Sequence, residues 1–200
     1  TYGDSAEQGF VRGRRFIHPE LRLAFEVAPG FTIANAADAV TARGPGGAAA
    51  VFDATRDPGR SAADYVRGWA EAISGRTRSG ALSGPEPLVI DGLEAARARM
   101  PVETAQGARI ASLTAIRGGG DRVWRFLGLA PTGDRAALAA VEAAADGFET
   151  LSAAEASRYR PLRLRVVTVR SGETLDDLAA RTPFDRLAAE RLRVLNDLGP

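Results

Sequence analysis

From Phe10 onward, short runs of alternating apolar and polar residues are separated by turn-forming residues, which is the pattern of strands in an antiparallel sheet. Strands are predicted over Arg15–His18, Arg22–Val27, Phe31–Asn35, Ala39–Arg43 and Ala48–Ala54, divided by Pro19-Glu20, Pro29-Gly30 and Gly44-Pro45-Gly46-Gly47. Leu21, Leu23, Phe25 and Val27 fall on one side of their strand, as a half-buried strand requires. The simplest connection of these strands is a meander. Over Ser61–Ser74 the period changes: Ala62, Tyr65, Val66, Trp69, Ala70 and Ile73 recur at helical spacing, and Ser61 followed by Asp64 starts the helix in capping-box fashion. Its apolar face is expected to lie on the sheet.

A loop rich in Gly, Ser and Arg follows over 75–87, then strands over Leu88–Ile90, Leu93–Val102, Arg109–Ile116 and Arg122–Leu129, with Gly118-Gly119-Gly120-Asp121 as a hairpin turn. Leu138, Val141, Ala144, Phe148 and Leu151 predict a second helix over Asp134–Leu151. Ser152 and Glu155 form another capping-box start before a break at Tyr159-Arg160-Pro161. The expected fold class is α+β, an antiparallel sheet with packed helices over 1–160, followed by a small element over 161–200.

Composition narrows the function classes. The 26 basic and 25 acidic residues nearly cancel, which leaves no field to attract nucleic acid. Every basic side chain is Arg, which reads as the codon usage of a GC-rich genome. Without cysteine there is no disulfide framework, thiol nucleophile or thiolate metal site. The longest apolar runs, near 47–52 and 136–141, fall far short of the roughly 18 residues that span a bilayer. The chain starts at Thr1 with neither Met nor leader, and is read as a piece of a longer protein.

Candidate chemistry is sparse. His18 is the sole histidine, so a site that takes two His from one helix is excluded, and a structural role beside Pro19 is expected. Gly118–Gly120 lacks the Lys and Ser/Thr of a phosphate loop. Asp176 and Asp177 fall in the first turn of a helix, where carboxylates suit the dipole. Trp69 and Trp124 are expected in the core, on helical and strand periodicity respectively, and Tyr159 sits at the break. No catalytic, metal-binding or cofactor-binding residue is assigned.

Three resemblances extend this reading. The phrase Leu23-Ala-Phe-Glu-Val-Ala-Pro-Gly-Phe31 resembles one found early in PsbP-like domains. The C-terminal run from Val167 through Ser171-Gly172-Glu173-Thr174-Leu175 to Leu195-Asn196 resembles a LysM module, truncated to a β-α-α element because no closing strand precedes Pro200. That family binds N-acetylglucosamine polymers such as peptidoglycan, between the first turn and the loop after the second helix. The resemblance therefore implies Ser171, Gly172, Glu173, Thr174, Asn196, Asp197 and Leu198 as glycan contacts. The same residues have a purely local reading: Gly172 makes the turn, Thr174 caps the helix with Asp177, and Leu175, Leu178, Leu192 and Leu195 form a small core.

Finally, Gly9–Val27, Gly30-Phe31, Asn35 and Ala39-Val40, followed by the LysM-like end, together resemble the C-terminal region of bacterial HtpX-like periplasmic zinc metallopeptidases. This implies a periplasmic or cell-envelope location. It also implies an upstream protease domain carrying the zinc and the catalytic His-Glu-x-x-His, and an accessory role for this region. Expected partners are that domain, envelope proteins and peptidoglycan.

Overall fold

The computed structural model describes residues 7–56, 59–118, 121–162, 166–184 and 187–198. The chain divides into two compact units, Thr1–Arg163 and Leu164–Pro200.

In the first unit the elements run β1 (Phe10–Arg12), β2 (Arg15–His18), β3 (Leu23–Glu26), β4 (Thr32–Asn35), β5 (Val40–Arg43), β6 (Ala49–Arg56), α1 (Ala62–Ser74), β7 (Ser83–Ile90), β8 (Leu93–Thr104), β9 (Gly107–Gly118), β10 (Arg122–Pro131), α2 (Arg135–Asp146), β11 (Glu149–Thr150) and α3 (Ala153–Arg158). They make an antiparallel seven-stranded sheet, β4-β5-β6-β10-β9-β8-β7, and a four-stranded sheet, β1-β2-β3-β11. The expected single meander is thus split. β1 to β3 leave the main sheet, and β6 pairs with β10, whose partner on the other side is β9. Alternation within each strand is legible from sequence; which sheet a strand joins is a long-range choice that alternation does not encode.

One face of the large sheet packs Phe52, Ile116, Trp124 and Phe126 against Leu23 and Phe25 of β3 and Val141 and Ala144 of α2. Its centre is aromatic, with ring centroids 4.8 Å apart for Phe52–Phe126 and 5.2 Å for Phe25–Phe126. Gly128 is required here, because a Cβ at that position would come within 2.7 Å of Val141 Cγ2 where α2 crosses β10. The opposite face packs Ala62, Val66 and Ala70 of α1 on Ala96, Ala98 and Met100 of β8 and Leu113 of β9. Small side chains on both partners let the helix lie close to the strands.

β3 departs from the half-buried pattern: Ala24, on its other side, is also buried, packed with Phe10, Ile17, Leu151 and Ala156. The four-stranded sheet is therefore covered on both faces by apolar groups. The second predicted helix stops at Asp146 rather than Leu151, with Gly147 as its C-cap. Phe148 and Leu151 are buried nonetheless, on the chain that continues as β11 against β3. β7 starts at Ser83, inside the expected loop, with a register shift between Ser83 and Glu86. Pro85 and Pro87 on this edge strand remove two ladder donors, a common guard against strand addition. Of the predicted hairpin turn, Gly118 closes β9 opposite Arg122, while Gly119 and Gly120 lie outside the described residues.

In the second unit, α4 (Leu175–Ala179) and α5 (Ala188–Leu195) pack on each other. The strand expected over Leu164–Val169 is not formed at Val166–Val169, where the backbone pairs with no ladder; residues 164–165 lie outside the described ones. The expected leucine core is partial. Leu175, Leu178 and Leu192 are half-buried, Ala179 is buried, and Leu195 is 55% exposed. Among the described residues no helix is long and apolar enough to cross a membrane.

Candidate functional site

Of the residues that the LysM resemblance implies as glycan contacts, several take part in local turns and caps. Gly172 takes φ +83°, a left-handed turn that suits a residue without Cβ. Glu173 accepts from the Arg170 amide at 3.0 Å and pairs with Arg181. These bonds, the Arg170 amide first, hold its carboxyl below the ordinary value. Thr174 is the N-cap of α4: its Oγ1 accepts from the Asp177 amide while the Asp177 carboxylate accepts from the Thr174 amide at 2.8 Å.

At the other end, α5 closes in a Schellman arrangement. Asp197 adopts φ +51°, the Leu198 amide donates to the Arg193 carbonyl at 2.9 Å, and the Asp197 amide to the Val194 carbonyl at 3.4 Å. Asn196 spends its side-chain Nδ2 on the Leu192 carbonyl at 2.8 Å. Ser171 is exposed beside the first turn, and Leu198 is 51% exposed. Local bonds therefore engage the side chains of Glu173, Thr174 and Asn196.

His18 sits at the end of β2 and accepts the Leu21 amide on Nδ1 at 3.2 Å, across the turn that Pro19 opens. Burial lowers its pKa, opposed by the nearby Glu20 carboxylate. Among the described residues, no group of three His, Asp or Glu side chains is placed to hold a metal ion.

The densest charged cluster was not anticipated from sequence. Arg97 and Arg99 of β8 and Ser112 and Thr114 of β9 all face α2, because the register pairs Arg97 with Thr114 and Arg99 with Ser112. Glu142 of α2 descends onto them. Arg99 binds it through Nε at 2.7 Å and Nη2 at 2.9 Å, and Ser112 donates to it at 2.7 Å. Arg97 donates to Thr114 at 2.8 Å and to Asp146 at 2.5 Å, and its Nη1 lies 3.6 Å from Glu142. Burial raises the Glu142 carboxyl, but the bonds from Arg99 and Ser112 and the charge of Arg97 outweigh it, and the pKa ends below the ordinary value. The signal was present: Ala96-Arg-Ala-Arg-Met100 places two guanidinium groups on one face of a long strand, which calls for acids on whatever covers it.

A second charged pair lies on the opposite face. Arg125 and Asp53 are cross-strand neighbours on β10 and β6, joined bidentately at 2.6 and 2.7 Å. The Arg125 guanidinium also meets Tyr65 Oη at 3.4 Å and stands 5.2 Å from the centroid of Trp69. Its bonds to Asp53 keep it more firmly protonated than an ordinary Arg, against the effect of burial. Trp69 packs against the core cluster beneath α1 but stays partly exposed at the flank of the helix, whereas Trp124 is fully core.

Beyond Trp69 the same face of the sheet is only partly covered. α1 lies over β7, β8 and β9, and Leu127 and Leu129 of β10 pack against the edge of its cluster, yet these two and Thr41, Ala49 and Val51, on the same face of β5, β6 and β10, stay partly exposed. The register arranges this floor in cross-strand rows: Arg43–Ala49–Leu129, Thr41–Val51–Leu127, then Asp53–Arg125. Tyr65, Trp69 and Ile73, one ridge of α1, form the wall beside it.

This arrangement of sheet and helices is a PsbP-like α+β fold. Cyanobacterial PsbP from Synechocystis sp. PCC 6803 aligns over 71% of this chain and 98% of its own, at a TM-score of 0.51 and 14% identity. The Ran-binding protein Mog1p of Saccharomyces cerevisiae aligns over 72% of this chain and 98% of its own, at a TM-score of 0.49 and 9% identity. No protein-family model and no curated protein matches the sequence. The likeness to solved structures is one of fold alone.

Proposed function

We propose that this chain is a non-catalytic accessory region of a cell-envelope zinc metallopeptidase, positioning the protease or its substrates. The observation that carries the reading is the division of labour among its polar residues. His18, Arg97, Arg99 and Glu142 are committed to bonds that hold turns and helices in place, while a half-apolar sheet face edged by Trp69 and Arg125 is left partly exposed. Such a surface suits binding rather than bond cleavage. The envelope and protease parts of the proposal are supported by the resemblance of Gly9–Val27 and the C-terminal element to the end of HtpX-like metallopeptidases.

On this reading the zinc and its ligands belong to the upstream domain. Two results test it. The gene upstream of Thr1 encodes His-Glu-x-x-His in the same frame, and the purified chain, incubated with zinc, does not hydrolyse casein or a quenched fluorescent peptide. Turnover by the purified chain overturns the proposal, as does an upstream sequence without that motif.

A further inference from the structure

We propose that the open sheet face beside α1 binds an extended segment of another polypeptide, aliphatic along its length and carboxylate-bearing at one end. The proposal deepens the accessory reading by giving the surface an occupant.

The floor selects an extended chain. Successive rows on one face of a strand are about 7 Å apart, which is also the spacing of alternate side chains along an extended segment. A segment laid along β6 and β10 therefore presents every second residue to the rows Thr41–Val51–Leu127 and Arg43–Ala49–Leu129. Aliphatic groups fit there, because Val51, Leu127, Ala49 and Leu129 offer partly exposed apolar surface that gains by being covered. Trp69 and Tyr65 supply a stiff wall that loses little entropy on contact.

Charge fixes the rest. Asp53 and Arg125 close one end of the face and satisfy each other, so that end presents no net charge. The far end differs. Arg43 is exposed and Arg109 partly exposed, and neither guanidinium group has a hydrogen bond or ion pair among the described residues. They share that end: Arg43 pairs with Ala49, Ala49 with Leu129, and Arg109 with Pro131, two residues further along β10. The Arg109 guanidinium reaches over Gly47, with Nη2 only 3.0 Å from where a Cβ would stand. Two uncompensated guanidinium groups at one end of a neutral apolar strip match carboxylates at one end of an aliphatic strand. A polyanion such as nucleic acid matches poorly, since it requires positive charge along its whole track.

The test titrates the full 200-residue chain, by calorimetry and Trp emission, with two acetylated heptapeptides, Leu-Thr-Val-Thr-Leu-Glu-Glu and Leu-Thr-Val-Thr-Leu-Lys-Lys. The Glu peptide is expected to bind about tenfold tighter and to shift the emission of the partly exposed Trp69. Arg43→Glu and Arg109→Glu each weaken it about fivefold and strengthen the Lys peptide, a reversal that a misfolded variant does not give. Equal affinity for the two peptides, or no binding of either, overturns the proposal. So does a concentration-dependent dimer abolished by Val51→Arg, which makes a second copy the occupant. If peptide binding fails while the upstream His-Glu-x-x-His is present, only the occupant is wrong; if binding holds and the motif is missing, only the accessory reading falls.

Discussion

The Glu142 carboxylate accepts from two residues of the sheet and balances two guanidinium groups, so its removal strands positive charge under α2. Glu142→Gln is expected to destabilise the first unit by about 3 kcal/mol in urea unfolding, the usual loss when one member of a buried ion pair is deleted. The pH dependence has a definite sign. The Glu142 pKa is lower in the folded chain than in the unfolded one, so its stabilisation is complete above the ordinary carboxylate value and is lost as pH falls through the lowered one. His18 acts over a higher range. Burial lowers its pKa below the ordinary 6.5, so protonation favours the unfolded chain, and stability falls as pH drops through 6.5 toward the lowered value. His18→Gln, which keeps an acceptor for the Leu21 amide, is expected to flatten that limb in urea unfolding measured across pH. The structural role of His18 was legible from its isolation and from Pro19. Glu142 was not, because a Glu inside an Ala-rich helix looks solvated until the strand beneath it is known to carry Arg97 and Arg99.

α2 and β10 meet at Gly128, where the helix comes too close for a side chain on the strand. Gly128→Ala is expected to cost about 1–3 kcal/mol by forcing Val141 and its helix outward, and Val141→Ala in the same chain is expected to recover part of the loss; thermal melting of the four variants measures both. α4 depends instead on its cap. Thr174→Ala removes the acceptor for the Asp177 amide and is expected to weaken the helix by about 1 kcal/mol, read as faster hydrogen exchange at Asp177 and Leu178. These elements show where pattern reading succeeds. Ser61, Ser152 and Thr174 announced their helices because a cap is a local bond between residues three apart. The end of α2 was misplaced because Phe148 and Leu151 keep a nearly helical spacing while belonging to a segment that pairs with β3, more than a hundred residues away. The same limit hid the partly covered face: apolar residues on β5, β6 and β10 alternate like those of a fully covered strand, and only the position of α1, centred over β7 to β9, reveals that they stay partly exposed.

The two sheets and their helices form a frame in which ionisable side chains chiefly hold elements together and one sheet face stays partly exposed. On the proposed accessory reading, the region brings a substrate or the catalytic domain into place, so its loss is expected to be selective. Short peptides diffuse to a catalytic site unaided, whereas a folded protein gains from a second point of attachment, through the raised effective concentration that a tethered site provides. The most direct measurement compares the proposed full-length metallopeptidase with a form lacking these 200 residues, on a short quenched fluorescent peptide and on a folded protein substrate of that enzyme. Peptide hydrolysis within about twofold of the full-length form, with at least a tenfold fall in kcat/KM on the protein, is the expected result. Equal loss on both substrates, or no loss on either, contradicts the account.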